Sequence, residues 1–282
     1  MKQSENVNNN VSSADKIVKW ALITLATVFL AVMLILPLIY VIVTAFRDGW
    51  GAFVKAISDK YAVKSVLLTV KVTLITVVVN TIFGVFAAWT ITRFKFRGKK
   101  LLSALIDLPL AISPIIAGLI FVLTFGRSSA IYPYLKAMDI KIIFAVPGIV
   151  LATIFVTFPF ISREIIPVMT SAGTDEEEAA ALMGANLFQI FTQVTLPHIK
   201  WALLYGIVLC SARAMGEFGA VSVLSGHLRG KTNTMPLHIE VTYQAFDFTG
   251  AFAMSALLVV MSLVILILRN VLEYKGKKDG EV

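Results

Sequence analysis

Long apolar runs, separated by short charged stretches, set the pattern of this chain. Five runs carry no charge at all: 20–46, 72–92, 108–126, 142–162 and 248–268, with 27, 21, 19, 21 and 21 residues. A helix needs about 20 mostly apolar residues to cross the roughly 30 Å hydrocarbon core of a bilayer. Each run therefore predicts a membrane span. A sixth, 201–226, is apolar except for Arg213 and Glu217. With flanking residues included, the pattern predicts an all-α integral membrane fold with six transmembrane helices, at about 20–46, 65–92, 104–126, 142–162, 201–226 and 248–268. Residues 20–274 read as one transmembrane domain between tails 1–19 and 275–282. The first tail, with Asn8, Asn9, Asn10, Ser12 and Ser13, has the composition of a disordered segment. The first run far exceeds the roughly 7–15 residues of a signal-peptide core and lacks an A-x-A-like site, so it is expected to stay as a helix.

Composition agrees with that pattern. Hydrophobic residues make up 58% of the chain and charged ones 15%, against roughly 25% charged in a soluble domain. This excludes a soluble globular enzyme, a disordered chain and a secreted disulfide scaffold. The net charge of +8 reads as a topology device rather than a nucleic-acid surface. With six spans, one side of the membrane collects 14 Lys and Arg and the other 9. The dense run from Arg93 through Lys95, Arg97 and Lys99 to Lys100 decides the orientation. Both termini are expected in the cytoplasm, with membrane lipid as a partner and no nucleic acid.

Candidate chemistry is sparse. Cys210 stands alone in an apolar run, so it reads as a packing residue and excludes an internal disulfide. His198, His227 and His238 lack metal-ligand spacing, and no metal is expected. No nucleophile elbow is present. A membrane-embedded enzyme, the alternative from a different class, would need polar groups gathered at one depth. Only one span carries two charges.

Those two are Arg213 and Glu217, at i and i+4, hence on one helix face. Intramembrane charges are costly and usually face a bundle interior or a pathway. They read either as a gate or pathway lining for an anion or as a structural pair in packing. Ser113-Pro114 interrupts the third span, as a bend beside the pathway or as packing. Lys71 reads as snorkelling to the headgroups.

One polar segment, 163–200, is too long for a connector. Thr174 followed by Asp175, Glu176 and Glu177 predicts a helix start, with Thr174 capping an amide and Glu177 reaching back in a capping box. The acids from Asp175 to Glu178 suit the positive end of a helix dipole. Met183, Leu187, Ile190, Phe191 and Val194 recur at helical spacing. Ala179, Ala180 and Gly184 keep part of the surface small, open to close approach by a neighbour. Leu196-Pro197 is expected to end the segment. An acidic polar face suits a protein partner better than an anionic leaflet.

Glu178-Ala179-Ala180, then Gly184, Val194, Leu196 and Pro197 resemble the EAA loop of ABC importer permeases in every spacing. Two further stretches, from Asp107 through Ser113-Pro114 to Gly118 and from Arg213 through Gly216-Glu217-Phe218-Gly219 to Leu237, resemble the CysW-type permeases of sulfate/thiosulfate importers. The resemblance implies a type I importer permease fold in a bacterial inner or plasma membrane. It implies that the EAA loop docks on an ATPase, present in two copies. A second permease (CysT-type, or a second copy of this chain) and an extracytoplasmic sulfate-binding protein complete the assembly it implies. Molybdate or tungstate import is the alternative within the class.

Moving a divalent anion inward against about 100 mV costs roughly 4.6 kcal/mol before any gradient. A pore working alone would drain the anion outward. The chain has no G-x-x-x-x-G-K-[ST] loop, so ATP and Mg are expected on the partner ATPase and no cofactor on this chain.

Overall fold

The computed structural model describes residues 13–278, and all regular structure among them is helical. Most of the predicted disordered tail lies outside the described residues. Ser13 already begins helix α1, Ser13–Leu30. A π-helical turn, Ala31–Ile35, joins α1 to α2, Leu36–Ala45. Proline cannot donate to the carbonyl four residues back, and its ring crowds that carbonyl. The wider π turn just before Leu36-Pro37 relieves both problems while the helix continues. From Lys16 to Ala45 this is a 30-residue apolar helix, and none of its most apolar window is buried within the chain.

Helix α3, Trp50–Ile57, follows a turn at Gly49, and α4 covers Lys60–Arg93. The Asp59 carboxylate caps α4, accepting the N–H groups of Tyr61 and Ala62 at 2.8 and 3.3 Å. One face of α4 buries Ser65, Thr69, Thr73, Thr76, Asn80, Gly84 and Ala88 at three- and four-residue spacing. Small side chains on a membrane helix let neighbouring backbones approach, and this face packs on the fourth and fifth spans.

Helices α5, Lys99–Ala111, and α6, Pro114–Phe125, meet at 109°. The expected interruption at Ser113-Pro114 is thus a sharp corner. Helix α7, Tyr132–Ala137, lies in the following loop. Helices α8, Val146–Thr157, and α9, Pro159–Ala172, run on as one 27-residue span. The polar segment holds α10, Asp175–Leu182, and α11, Leu187–Ile190. A second π turn, Phe191–Thr195, leads into α12, Leu196–Met215. Short helices α13, Gly219–Ser225, and α14, Met235–Gln244, precede the last span, α15, Phe248–Lys278. Among the described residues, five helical stretches are long and apolar enough to cross a membrane, and six when the bent α5–α6 pair counts as one span.

Several boundaries differ from the sequence expectation: the fourth span runs past residue 162 through α9 to Ala172, and the last runs past residue 268 to Lys278. Leu196-Pro197 does not end the helix, because Pro197 sits in the first turn of α12 and the π turn before it absorbs the missing donor. The stretch 201–226 is not one helix, since α12 stops at Met215 and α13 restarts at Gly219.

The core lies where α4, α9 and α12 meet. Val85, Ala88, Ile161, Ile165, Met169, Ile199 and Cys210 form one buried cluster. Ile161 is held between two glycines: a Cβ on Gly84 would come within 3.1 Å of its side chain, and one on Gly206 within 3.1 Å of its Cα. Cys210 is fully buried there, as its apolar surroundings predict. Above this cluster the Asn80 amide donates to Thr157 Oγ1 at 2.8 Å, tying α4 to α8.

Candidate functional site: the clamped EAA segment and two opposed helix breaks

Helix α10 leaves α9 through Gly173, whose φ of +71° suits a residue without Cβ. Its first turn carries Asp175, Glu176, Glu177 and Glu178, favourably placed on the helix dipole. The expected capping box does not form. Thr174 makes no cap to a backbone amide. Its hydroxyl donates instead to Glu178 Oε1 at 2.7 Å.

Glu177 is engaged elsewhere. Its Oε2 pairs with Arg93 Nε at 2.7 Å, and its Oε1 accepts the Thr195 hydroxyl at 2.6 Å. Arg93 also donates through Nη1 to the Met169 carbonyl at 2.9 Å. The Arg93 and Glu177 side chains are only 10% and 14% exposed. One carboxylate therefore joins α10 to the end of α4 and the foot of α12, while its arginine partner reaches α9. Sequence reading missed this clamp because Arg93 was counted only toward topology. Glu176 pairs with His198 Nε2 at 2.6 Å on the exposed side.

Helix α10 ends in a Schellman motif. The Ala185 N–H donates to Ala180 at 3.1 Å and the Gly184 N–H to Ala181 at 3.0 Å. Gly184 has φ +89°, and no atom lies within 4 Å of where its Cβ would be. Within this chain it is glycine for its backbone angle, not for close packing. Ala180 is buried and Ala179 exposed. A capping box does occur one helix later. Asn186 Oδ1 accepts the Gln189 N–H, and Gln189 Oε1 accepts the Asn186 N–H, both at 2.9 Å. Between the two helices an apolar tip faces outward: Leu182, Met183 and Phe188 are 90%, 83% and 75% exposed.

Arg213 and Glu217 do pair, Nη1 to Oε2 at 2.6 Å. Glu217, however, stands in the break after α12 rather than on it. Its Oε1 accepts the Ala220 N–H at 3.0 Å in the first turn of α13. The Glu217 side chain is 1% exposed and that of Arg213 32%. The carboxylate is thus an internal brace across the break, and the guanidinium keeps an open side. This break packs on the Ser113-Pro114 corner. A Cβ on Gly118 would meet the Ala220 oxygen at 2.7 Å, and one on Gly219 the Pro114 Cβ at 2.9 Å. Ser113, Pro114 and Glu217 therefore lie on two helix breaks that press together, and Arg213 stands beside them in the last turn of α12.

Toward the other end of α4 from the clamp, the Met235 N–H donates to Thr69 Oγ1 at 2.7 Å and fixes the start of α14. His238 is buried there, and burial pulls its imidazole below the ordinary 6.5. The nearby Arg229 acts the same way, while Asp59 and Asp247 oppose it.

The structure is thus a bundle of apolar helices with a broken third span and an acidic segment clamped to one end. Residues 80–276 match the family of binding-protein-dependent transport system inner membrane components, and the chain belongs to that family. It is a multi-pass membrane protein, and its role is translocation rather than catalysis. Among named relatives, it is 46% identical over 257 residues to the sulfate transport system permease protein CysW of Escherichia coli K12, covering 91% of this chain and 88% of the relative. To the CysW protein of Synechococcus elongatus it is 45% identical over 272 residues, covering 96% and 95%. The sulfate transport system permease protein CysT of Escherichia coli K12 is 34% identical over 245 residues, with 87% and 88% covered. A solved bacterial alginate ABC transporter, bound to its periplasmic protein, superposes with a TM-score of 0.76 over 90% of this chain and 92% of that one, at 18% identity. That likeness concerns the fold alone.

Proposed function

We propose that this chain is the membrane permease of an ATP-driven importer of sulfate and thiosulfate. The observation that carries the mechanism is the exposed apolar tip of Leu182, Met183, Leu187 and Phe188 on a segment tied to the spans through Glu177. An isolated apolar tip in a polar environment suits an apolar cleft on a soluble partner. That partner is an ABC ATPase in two copies, which bind ATP and Mg. Glu178, Ala179, Ala180, Gly184, Leu196 and Pro197 form the docking segment. The clamp side faces the cytoplasm, as do both termini. A second permease, of the CysT type or another copy, faces this chain across the pathway. An extracytoplasmic binding protein delivers the anion to the other end.

The two opposed breaks supply the gate. Ser113-Pro114 and Gly216 to Gly219 end helices inside the membrane, and the open side of the Arg213 guanidinium, 32% exposed although paired with Glu217, is placed to meet an anion. Glu217 holds that guanidinium in place and keeps the local charge balanced. The test is uptake of labelled sulfate by cells lacking their own sulfate importers and supplied with this chain and its neighbouring transport genes. Sulfate uptake that thiosulfate competes away supports the reading. Uptake of molybdate in preference to sulfate overturns the substrate assignment.

A further inference from the structure

We infer that Glu177 and Arg93 are positioning residues, forming the joint through which movement of the ATPase-docked helix enters the membrane bundle. The inference rests on the docking role proposed above and assigns a part that no residue of the EAA pattern holds.

The covalent connections of α10 are poorly suited to carry movement. One end leaves through Gly173 and the other through Gly184, with φ of +71° and +89°. A Cβ on either glycine would meet nothing within 4 Å. The backbone bonds at the Gly184 end, Ala185 to Ala180 and Gly184 to Ala181, run within α10 and its own turn and reach no span. Side-chain bonds must then decide how α10 moves with the spans.

Four acids lie on the first turn of α10. Glu178 bonds locally to Thr174, and Glu176 pairs with His198 at the exposed surface. Such exposed bonds hold little. Glu177 alone is drawn inward, and both its oxygens are used, one by Arg93 and one by Thr195. Removing one partner of a buried pair strands the other's charge, so the joint resists opening. Its far ends are Arg93 on α4, the Met169 carbonyl on α9 and Thr195 at the foot of α12. Those three helices share the cluster around Ile161, Ile165 and Cys210. A displacement of α10 is therefore delivered to the packed core as a unit, not to a single helix.

The experiment uses the whole transporter, purified through a tag on this chain and placed in liposomes with its binding protein. The readout is sulfate carried per ATP hydrolysed, a ratio that does not depend on how much complex assembles. Arg93→Gln and Glu177→Gln are each expected to lower the ratio severalfold. The charge swap, Arg93→Glu with Glu177→Arg, is expected to recover much of it. Thr195→Val, which removes one hold and strands no charge, is expected to lower it partly. An unchanged ratio in the single variants overturns the inference, and so does a swap that assembles with no recovery. If the charge variants do not assemble, Thr195→Val decides, and a wild-type ratio there overturns it. Should the wild-type complex carry a different anion, the substrate assignment fails, while the same ratio measured with that anion still tests the joint.

Discussion

Pro114 and Gly219 face each other across two interrupted helices, so close that a Cβ on the glycine would lie 2.9 Å from the proline Cβ. One turn further along α6, Gly118 comes equally near the backbone of Ala220. The corner in the third span and the break after the fifth are thus built as one packed unit. Gly118→Ala drives a methyl against the Ala220 carbonyl, an unyielding backbone atom. We expect a loss of about 1–3 kcal/mol, as in other overpacked cores, read as a lower unfolding midpoint in detergent. Gly51→Ala is the matched control, because a Cβ at that site would meet no atom.

Gly184→Val forces a β-branched residue to a φ of +89°. The left-handed conformation costs an L-residue about 1–2 kcal/mol. The Schellman motif is expected to loosen while the membrane helices stay intact. Hydrogen exchange should rise between residues 175 and 190 and nowhere in α4 or α9, and sulfate uptake should fall. Gly184→Asn, which tolerates positive φ better, should fall in between. Normal uptake by the valine variant would remove Gly184 from the coupling segment.

Arg213→Gln leaves the Glu217 carboxylate, 1% exposed, without its cation. Loss of one partner from a buried pair costs about 3–5 kcal/mol. The double change to Gln at 213 and 217 should restore most of that stability. If the guanidinium serves the anion pathway, the double variant folds and assembles but takes up little sulfate. Wild-type uptake by that variant would reduce the pair to packing.

Leu182→Ser with Phe188→Ser removes two of the most exposed apolar side chains of the tip. No buried contact is lost, so thermal stability of the isolated chain should change by less than about 0.5 kcal/mol. Co-purification of the ATPase with the tagged permease should drop sharply. Unchanged co-purification would place the docking surface elsewhere.

His238 gives the connection between the last two spans a pH dependence with a defined sign. Its folded-state value lies below the ordinary 6.5, so as pH falls the unfolded chain takes up the proton first. Stability is full above 6.5 and is lost as pH falls from there toward the folded value. Thermal unfolding should show this loss in the wild type and a weaker one in His238→Asn.

Much of this architecture was legible in residue order. Apolar runs located the spans because lipid demands about 20 apolar residues for each crossing. The Ser113-Pro114 corner followed from proline's missing donor. The i, i+4 spacing anticipated the Arg213–Glu217 pair, although Glu217 lies past the helix end. What escaped was long-range or geometric. Nothing near Arg93 in the sequence shows that its guanidinium meets Glu177, more than eighty residues away. Thr174 and Glu177 had the right spacing for a capping box, but a buried arginine outcompeted the local amide. Asn186 and Gln189 carried the same signal and went unnoticed because the apolar spacing ran on across Gly184.

The π turns before Leu36-Pro37 and Leu196-Pro197 have a further consequence. Each holds one residue more than an α-helical turn would need, and one residue is about 100° of rotation. A helical wheel drawn straight through Leu187–Met215 is therefore out of phase on its two sides. Ile190 and Ile199, nine residues apart, would fall about 180° from each other on a regular wheel, yet both are buried. The bulge takes up about 100° of that difference and leaves the two within about 80° of each other: a local widening of the backbone acts as a gear, turning the foot of the fifth span so that its two ends present neighbouring sides to the bundle.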